Sequence, residues 1–188
     1  MRTKNSQSFT NSLRPAVFLD RDGTLMEDVD YCNRPEDVRI FPQTTPSLLQ
    51  LSQAGFLLVL ITNQSGIGRQ IITPEEYQAV HQEFLRQIAP ATLDGHYFCP
   101  SLPDAQDTRR KPAPGMVLEA ANDLPIDLPR SWFIGDKEID VQCGHNARIR
   151  SILVRTGPGE AHHLAKQSIA DFVANSIAEA TTHILESL

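Results

Sequence analysis

The sequence predicts an α/β fold, a Rossmann-like doubly wound parallel sheet, and three observations carry that prediction. Short, fully apolar runs recur along the chain. Stretches punctuated like helices separate them, so strand and helix alternate. Polar, carboxylate-bearing turns follow two of the runs, which is where open α/β sheets place their active sites.

The strands are read at Ala16-Val17-Phe18-Leu19, Phe56 to Ile61, His96 to Cys99, Trp132 to Ile134, Ile152 to Val154 and Phe172-Val173. Runs that are apolar throughout, rather than alternating, suit strands buried on both faces. Among the helices, Thr45-Pro46 opens one that Gly55 closes, placing Pro and Gly where helix ends favour them. Thr73-Pro74-Glu75-Glu76 supplies an N-cap, a first-turn proline and a capping-box glutamate for the next. Pro114 opens another, which runs to about Asp123. The stretch from Pro100 to Arg110 is a loop.

A chain of 188 residues with 40% hydrophobic content fits one compact domain, expected over residues 15–188. Residues 1–14 are polar and read as a flexible N-terminal tail with no apolar stretch of the signal-peptide kind. No apolar run approaches the roughly 18 to 20 residues that span a bilayer, so no membrane partner is expected. The formal net charge of -6 argues against nucleic acid as a partner, because a phosphate backbone needs a concentrated basic surface. Cys32, Cys99 and Cys143 form no CxxC pair and suggest neither a disulfide framework nor a local zinc site. A cytoplasmic protein with reduced thiols is expected.

Four motifs carry chemistry. Val17-Phe18-Leu19-Asp20-Arg21-Asp22-Gly23-Thr24-Leu25 sets two carboxylates after a strand. Asp20, ionised at neutral pH, can attack phosphorus without a separate base. Asp22 can give a proton to a leaving oxygen and later take one from water. Taken alone, Asp and Gly after a strand also make an ordinary solvated turn. In Leu60-Ile61-Thr62-Asn63-Gln64-Ser65-Gly66, Thr62 offers a hydroxyl, and the following amides can meet phosphate oxygens. Arg109-Arg110-Lys111-Pro112 is a basic cluster in an acidic chain, its lysine suited to one phosphate and an arginine to bidentate capture of a second. Phe133-Ile134-Gly135-Asp136-Lys137-Glu138-Ile139-Asp140 brings another carboxylate after another strand. Asp136 and Asp20 can share a hard divalent cation, for which oxygen ligands fit magnesium. Asp140 can orient metal waters as a second shell, orient Lys137, or simply favour a helix start through the dipole.

Together and in this order, these motifs resemble the haloacid dehalogenase-like phosphatase superfamily over roughly residues 15 to 175. FLDRDGTL, ITNQSGIGR, RKPAPGM and IGDKEID are similar to its subfamily of heptose-bisphosphate and histidinol-phosphate phosphatases. The resemblance implies a magnesium-dependent phosphomonoester hydrolase that works through an aspartyl-phosphate. It implies Asp20 as nucleophile and metal ligand, and Asp22 as acid/base that also reaches the metal through its backbone carbonyl. Thr62 and Lys111 would steady the phosphoryl group, and Asp136 would complete the metal site. Asp28 to Tyr31, Asn63, Gln64, Ser65, Arg110 and Lys137 match positions that contact the sugar or its other phosphate. The intervals between motifs are used up by the sheet's own elements, so a capless fold is expected. Its substrate would be a small phosphorylated sugar or metabolite, heptose 1,7-bisphosphate first and histidinol phosphate second. A nucleic-acid 3′-phosphatase and a phosphosugar-binding protein without catalysis are the alternatives from other classes. A monomer or weak homo-oligomer is expected.

The chain departs from the zinc-bearing relatives in one place. They carry a CxH…CxC loop ahead of the lysine, whereas here Cys99 is followed by Ser101, Asp107 and Arg109 at the corresponding positions. No structural zinc is expected, since a closed site takes four Cys or His ligands.

Overall fold

The structure is a computed structural model that describes residues 12–157 and 168–188. Most of the polar stretch expected as a tail lies outside the described residues. Its last member, Arg14, is tied down: its Nε donates to the Gly55 carbonyl at 3.0 Å, and its backbone bridges to Ile126.

Six strands form one sheet in the order β3-β2-β1-β4-β5-β6, and every neighbouring pair is parallel. They are β1 (Ala16–Leu19), β2 (Leu57–Asn63), β3 (Gly95–Cys99), β4 (Trp132–Gly135), β5 (Arg150–Val154) and β6 (Phe172–Ala174). All six lie where the apolar runs predict strands. β2 runs two residues past the expected end at Ile61, so Thr62 and Asn63 are held in the ladder opposite Phe98 and Cys99.

The apolar runs explain the layers. Along β1, Val17 and Leu19 join a core with residues of α1 (Thr44–Gln53), α3 (Pro74–Ile88) and α6 (Ile177–Glu186). Ala16 and Phe18 join a second core with residues of α4 (Gly115–Asp123) and α5 (Glu138–Asn146). A strand sandwiched this way must be apolar on both faces. Phe18 stacks on Phe133 of β4 at 6.4 Å between ring centroids. Truncating either ring to Ala would cost about 3–5 kcal/mol.

The punctuation acts as expected at α3. Thr73 Oγ1 accepts from the Glu76 N–H at 3.1 Å, and Glu76 Oε2 accepts from the Thr73 N–H at 2.7 Å. Pro46 falls in the first turn of α1, and Gly55 beyond its end takes φ +95°. The one-turn α2 (Ser65–Gly68) follows β2 directly. Between β1 and β2 lie only a short 3-10 turn at Pro35–Asp37 and α1, so no cap domain is inserted there. The chain winds from β1 one way to β2 and β3, then crosses back to β4, β5 and β6. The crevice at such a reversal is where ligands bind in this architecture.

Candidate active site

Asp20 stands one residue beyond β1, Thr62 near the end of β2, and Asp136 one residue beyond β4. Because β1 pairs with both β2 and β4, these ends meet on one edge of the sheet. Lys111 reaches them from the loop ahead of α4. All four side chains are buried, and Asp20, Thr62 and Lys111 line a cleft of about 240 Å³.

The lysine is pinned from both ends. Asn63 grips its backbone reciprocally: Nδ2 donates to the Lys111 carbonyl and Oδ1 accepts from the Lys111 N–H, both at 3.1 Å. Lys111 Nζ lies 2.6 Å from Asp20 Oδ1, 2.7 Å from Asp140 Oδ1 and 3.0 Å from the Ile61 carbonyl. Burial alone would push the Lys111 ammonium down, but the two carboxylates outweigh it and hold its pKa above the ordinary value. Asp140 therefore orients Lys111. Its other oxygen accepts from the Lys137 N–H at 3.0 Å, closing the first turn of α5, so the helix-start reading holds as well.

Three carboxylates, Asp20, Asp136 and Asp140, converge with oxygens within 4.8 Å of one another. Loss of solvent, then the neighbouring carboxylates, raises Asp20 to about 6. The same causes raise Asp136 to about 8. Asp136 Oδ1 accepts from Thr24 Oγ1 at 3.3 Å, while the buried Oδ2 has no hydrogen-bond partner. Gly23, at φ +85°, and Gly157 both crowd this carboxylate so closely that a Cβ on either would strike Oδ2. With Asp140 committed to Lys111 and Lys137, Asp20 and Asp136 are the oxygens left for a hard cation. An orphaned buried carboxylate oxygen and an excess of negative charge suit magnesium.

Asp22 stands apart from that trio. Its carboxylate is held by Arg21 and by Gln64, whose Nε2 donates to Asp22 Oδ2 at 2.8 Å and to Thr62 Oγ1 at 2.9 Å. Asp28, Tyr31, Asn63, Gln64, Ser65 and Lys137 all line the cleft. Lys137 Nζ meets Asp28 Oδ2 across its mouth at 2.9 Å. Arg110 does not line it; its Nη1 donates to the Ser101 carbonyl at 2.8 Å, beside a neighbouring groove.

The shortened loop has a centre of its own in Asp107. Its carboxylate accepts from Ser101 Oγ, from Cys99 Sγ at 3.4 Å and from the Arg109 N–H at 2.8 Å. The hydrogen bonds from Ser101 and Arg109 hold its pKa below the usual carboxylate range. Three of the four positions flagged by the sequence thus converge on the carboxylate of the fourth, Asp107.

A buried aspartate paired with a lysine, a second aspartate with an oxygen that has no hydrogen bond, and a polar cleft at the sheet's reversal define a phosphoryl-transfer hydrolase. Comparison with known proteins narrows this. A HAD-hydrolase-like family model matches residues 108–180. The chain is 38% identical to the D-glycero-D-manno-heptose-1,7-bisphosphate 7-phosphatase of Thermosynechococcus vestitus, covering 93% of this chain and 97% of that one. It is 39% identical to the D-glycero-beta-D-manno-heptose-1,7-bisphosphate 7-phosphatase of Yersinia pestis, covering 88% and 92%. Among solved structures it matches the D,D-heptose 1,7-bisphosphate phosphatase of B. bronchiseptica, complexed with magnesium and phosphate, with a TM-score of 0.85. That match has 30% identity and covers 93% of this chain and 99% of the other. The chain belongs to the heptose-bisphosphate phosphatase family of haloacid dehalogenase-like hydrolases.

Proposed function

We propose that this phosphatase removes the C7 phosphate of D-glycero-D-manno-heptose 1,7-bisphosphate through an aspartyl-phosphate on Asp20. The observation that carries the chemistry is the buried pairing of Asp20 with Lys111 beside an Asp136 oxygen that has no hydrogen bond. The heptose follows from the relatives, and the cleft's charged residues at both ends, Lys111 within and Lys137 at the mouth, suit a bisphosphate.

Asp20 attacks phosphorus in line, and the bond from phosphorus to the sugar oxygen breaks. Asp22 gives that oxygen its proton, then takes one from the water that hydrolyses the aspartyl-phosphate. Lys111 and Thr62 hold the transferring oxygens, and Asn63 and Asp140 hold Lys111. Asp20 and Asp136, with the Asp22 backbone carbonyl, would hold magnesium, which would supply neutralisation of phosphoryl charge. Such help is required, because uncatalysed phosphate-monoester hydrolysis needs up to ~10²¹-fold acceleration. Asp107 stands in for zinc in the loop that carries Arg110 and Lys111. The three free, buried cysteines fit a reducing cytoplasm, and the enzyme acts as a monomer or weak homo-oligomer without nucleic acid or membrane. Among the described residues no helix is long and apolar enough to cross a membrane.

A panel of phosphorylated metabolites with magnesium tests this. The highest kcat/KM should fall on heptose 1,7-bisphosphate, with phosphate released from C7. Higher turnover of histidinol phosphate or of an oligonucleotide 3′-phosphate would overturn the assignment.

A further inference from the structure

The residue between the two aspartates of the first motif is an arginine, and it is only 1% exposed. Burying a guanidinium costs several kcal/mol unless it is paired and hydrogen-bonded. Here the pairing is specific. Arg21 Nε lies 3.1 Å and 3.2 Å from the two oxygens of Asp22, and Nη2 lies 3.0 Å from Oδ2.

The arginine is itself fixed. Its carbonyl accepts from the N–H groups of Leu25 at 2.9 Å and Met26 at 3.2 Å, so the turn that carries it is closed. Its guanidinium lies 5.6 Å from the centre of the Tyr77 ring. Tyr77 is backed in turn by His96, with its hydroxyl 2.7 Å from Nε2, and His96 stacks on His81 with ring centres 3.8 Å apart. Burial keeps both imidazoles neutral at physiological pH, lowering His81 to about 4 and His96 to about 3. They form an uncharged wall behind the arginine.

An aspartate in an open cleft samples several rotamers, and a proton-transfer group must sit within hydrogen-bond reach of its target. A planar fork on both oxygens admits a single orientation. We propose that Arg21 is a positioning residue that aims the Asp22 carboxylate into the cleft, with Gln64 as the second hold on Oδ2. This rests on the acid/base role given above to Asp22. Arg21 lines the cleft beside Asp22 and spends its Nε and Nη2 donors on that carboxylate. It acts on the steps that pass through Asp22, namely departure of the sugar alkoxide and hydrolysis of the aspartyl-phosphate.

The test uses two leaving groups with the full chain and magnesium. A sugar alkoxide needs a proton to leave, whereas p-nitrophenolate does not. In Arg21→Met, kcat/KM on the sugar phosphate should fall about 10- to 100-fold, part of the 10²–10⁴ that general acid catalysis supplies. The loss on p-nitrophenyl phosphate should be at least tenfold smaller, and a pre-steady-state burst of nitrophenolate should emerge as hydrolysis of the covalent intermediate slows. Added to Asp22→Asn, Arg21→Met should change kcat/KM on the sugar by less than about twofold, since both act on one group. If Arg21→Met does not fold, Arg21→Lys keeps the charge without the fork, and should show the same leaving-group bias. Equal losses on both substrates, or additive losses in the double variant, would overturn the positioning role. If Asp22→Asn itself spares the sugar phosphate, the acid/base reading has failed instead, and this inference with it.

Discussion

Asp140 and Lys111 form a fully buried ion pair at 2.7 Å, and that pair decides how the site's charge is distributed. Lys111 is shared with Asp20, so one ammonium serves two carboxylates, and Asp136 Oδ2 is left without a hydrogen bond, with only the Lys137 ammonium 3.9 Å away.

The remaining negative charge predicts a stability response to magnesium. A cation that binds only the folded chain stabilises it by about 2.7 kcal/mol at a hundred times its Kd. Thermal melts at neutral pH should show Tm rising with added Mg2+ and falling with chelator. Asp136→Asn should lose most of that rise, yet be no less stable than the wild type in chelator, because the amide replaces a carboxyl whose charged form burial already disfavours. A wild-type Tm indifferent to Mg2+ would count against the metal site.

Two neighbours of the phosphoryl group should separate by substrate. Asn63→Ala frees the Lys111 backbone and should lower kcat/KM about tenfold on a bisphosphate and on a monophosphate alike. The family resemblance puts Arg110 on the distal phosphate, whereas here it turns to the Ser101 carbonyl outside the cleft. On the resemblance, Arg110→Ala should lower kcat/KM by a comparable factor on the bisphosphate only, the cost of one lost charge-assisted contact. Equal losses for Arg110→Ala on both would contradict its assignment to the distal phosphate.

The Asp107 centre predicts a loop that holds without metal. Protein purified without added metal should carry zinc well below one per chain by elemental analysis, and Cys99→Ser should stay folded and active. Asp107→Ala should expose the loop around residues 99–111 to proteolysis while the rest of the domain resists. Stoichiometric zinc that survives dialysis, with loss of fold in Cys99→Ser, would overturn this.

Acid sensitivity should trace in part to the imidazoles behind Arg21. His81 has a folded pKa of about 4 against an ordinary 6.5, so the unfolded chain binds its proton first as pH falls. The stability it contributes is therefore complete above about pH 6.5 and is lost as pH drops towards 4, at up to about 1.4 kcal/mol per pH unit. His81→Phe removes the titrating group and keeps the stacked ring. Denaturant titrations across that window should show a shallower decline for His81→Phe, and an unchanged slope would contradict the assignment.

The strands were legible because a sheet covered on both faces demands unbroken apolar runs, and Asp20, Thr62 and Asp136 because they sit at or just beyond strand ends. The helix α6 was not read, although Ser176 and Glu179 ahead of its apolar face form a capping pattern; Ser176 Oγ accepts from the Glu179 N–H at 3.4 Å. What no local pattern could show are the long-range partnerships. Asn63 reads only as a substrate contact, and the structure adds its amide's grip on Lys111; Asp107 reads as a replaced zinc ligand, and the structure turns Cys99 and Ser101 towards it. Arg21 draws no reading from the sequence, because Tyr77 and its histidines come from distant elements.

The central claim is that Asp20 carries the phosphoryl group covalently, and the direct measurement is a rapid quench of Asp22→Asn with p-nitrophenyl phosphate and magnesium. The nitrophenolate needs no proton to leave, so Asp20 should still be phosphorylated, while hydrolysis without the Asp22 base should stall. The account predicts a burst approaching one nitrophenolate per chain, with the phosphoryl group on the peptide containing Asp20 and removable by hydroxylamine. Asp20→Asn should give neither burst nor turnover. Linear release with no label on Asp20, or more than about a tenth of wild-type kcat in Asp20→Asn, a loss under about 1.4 kcal/mol, would contradict it.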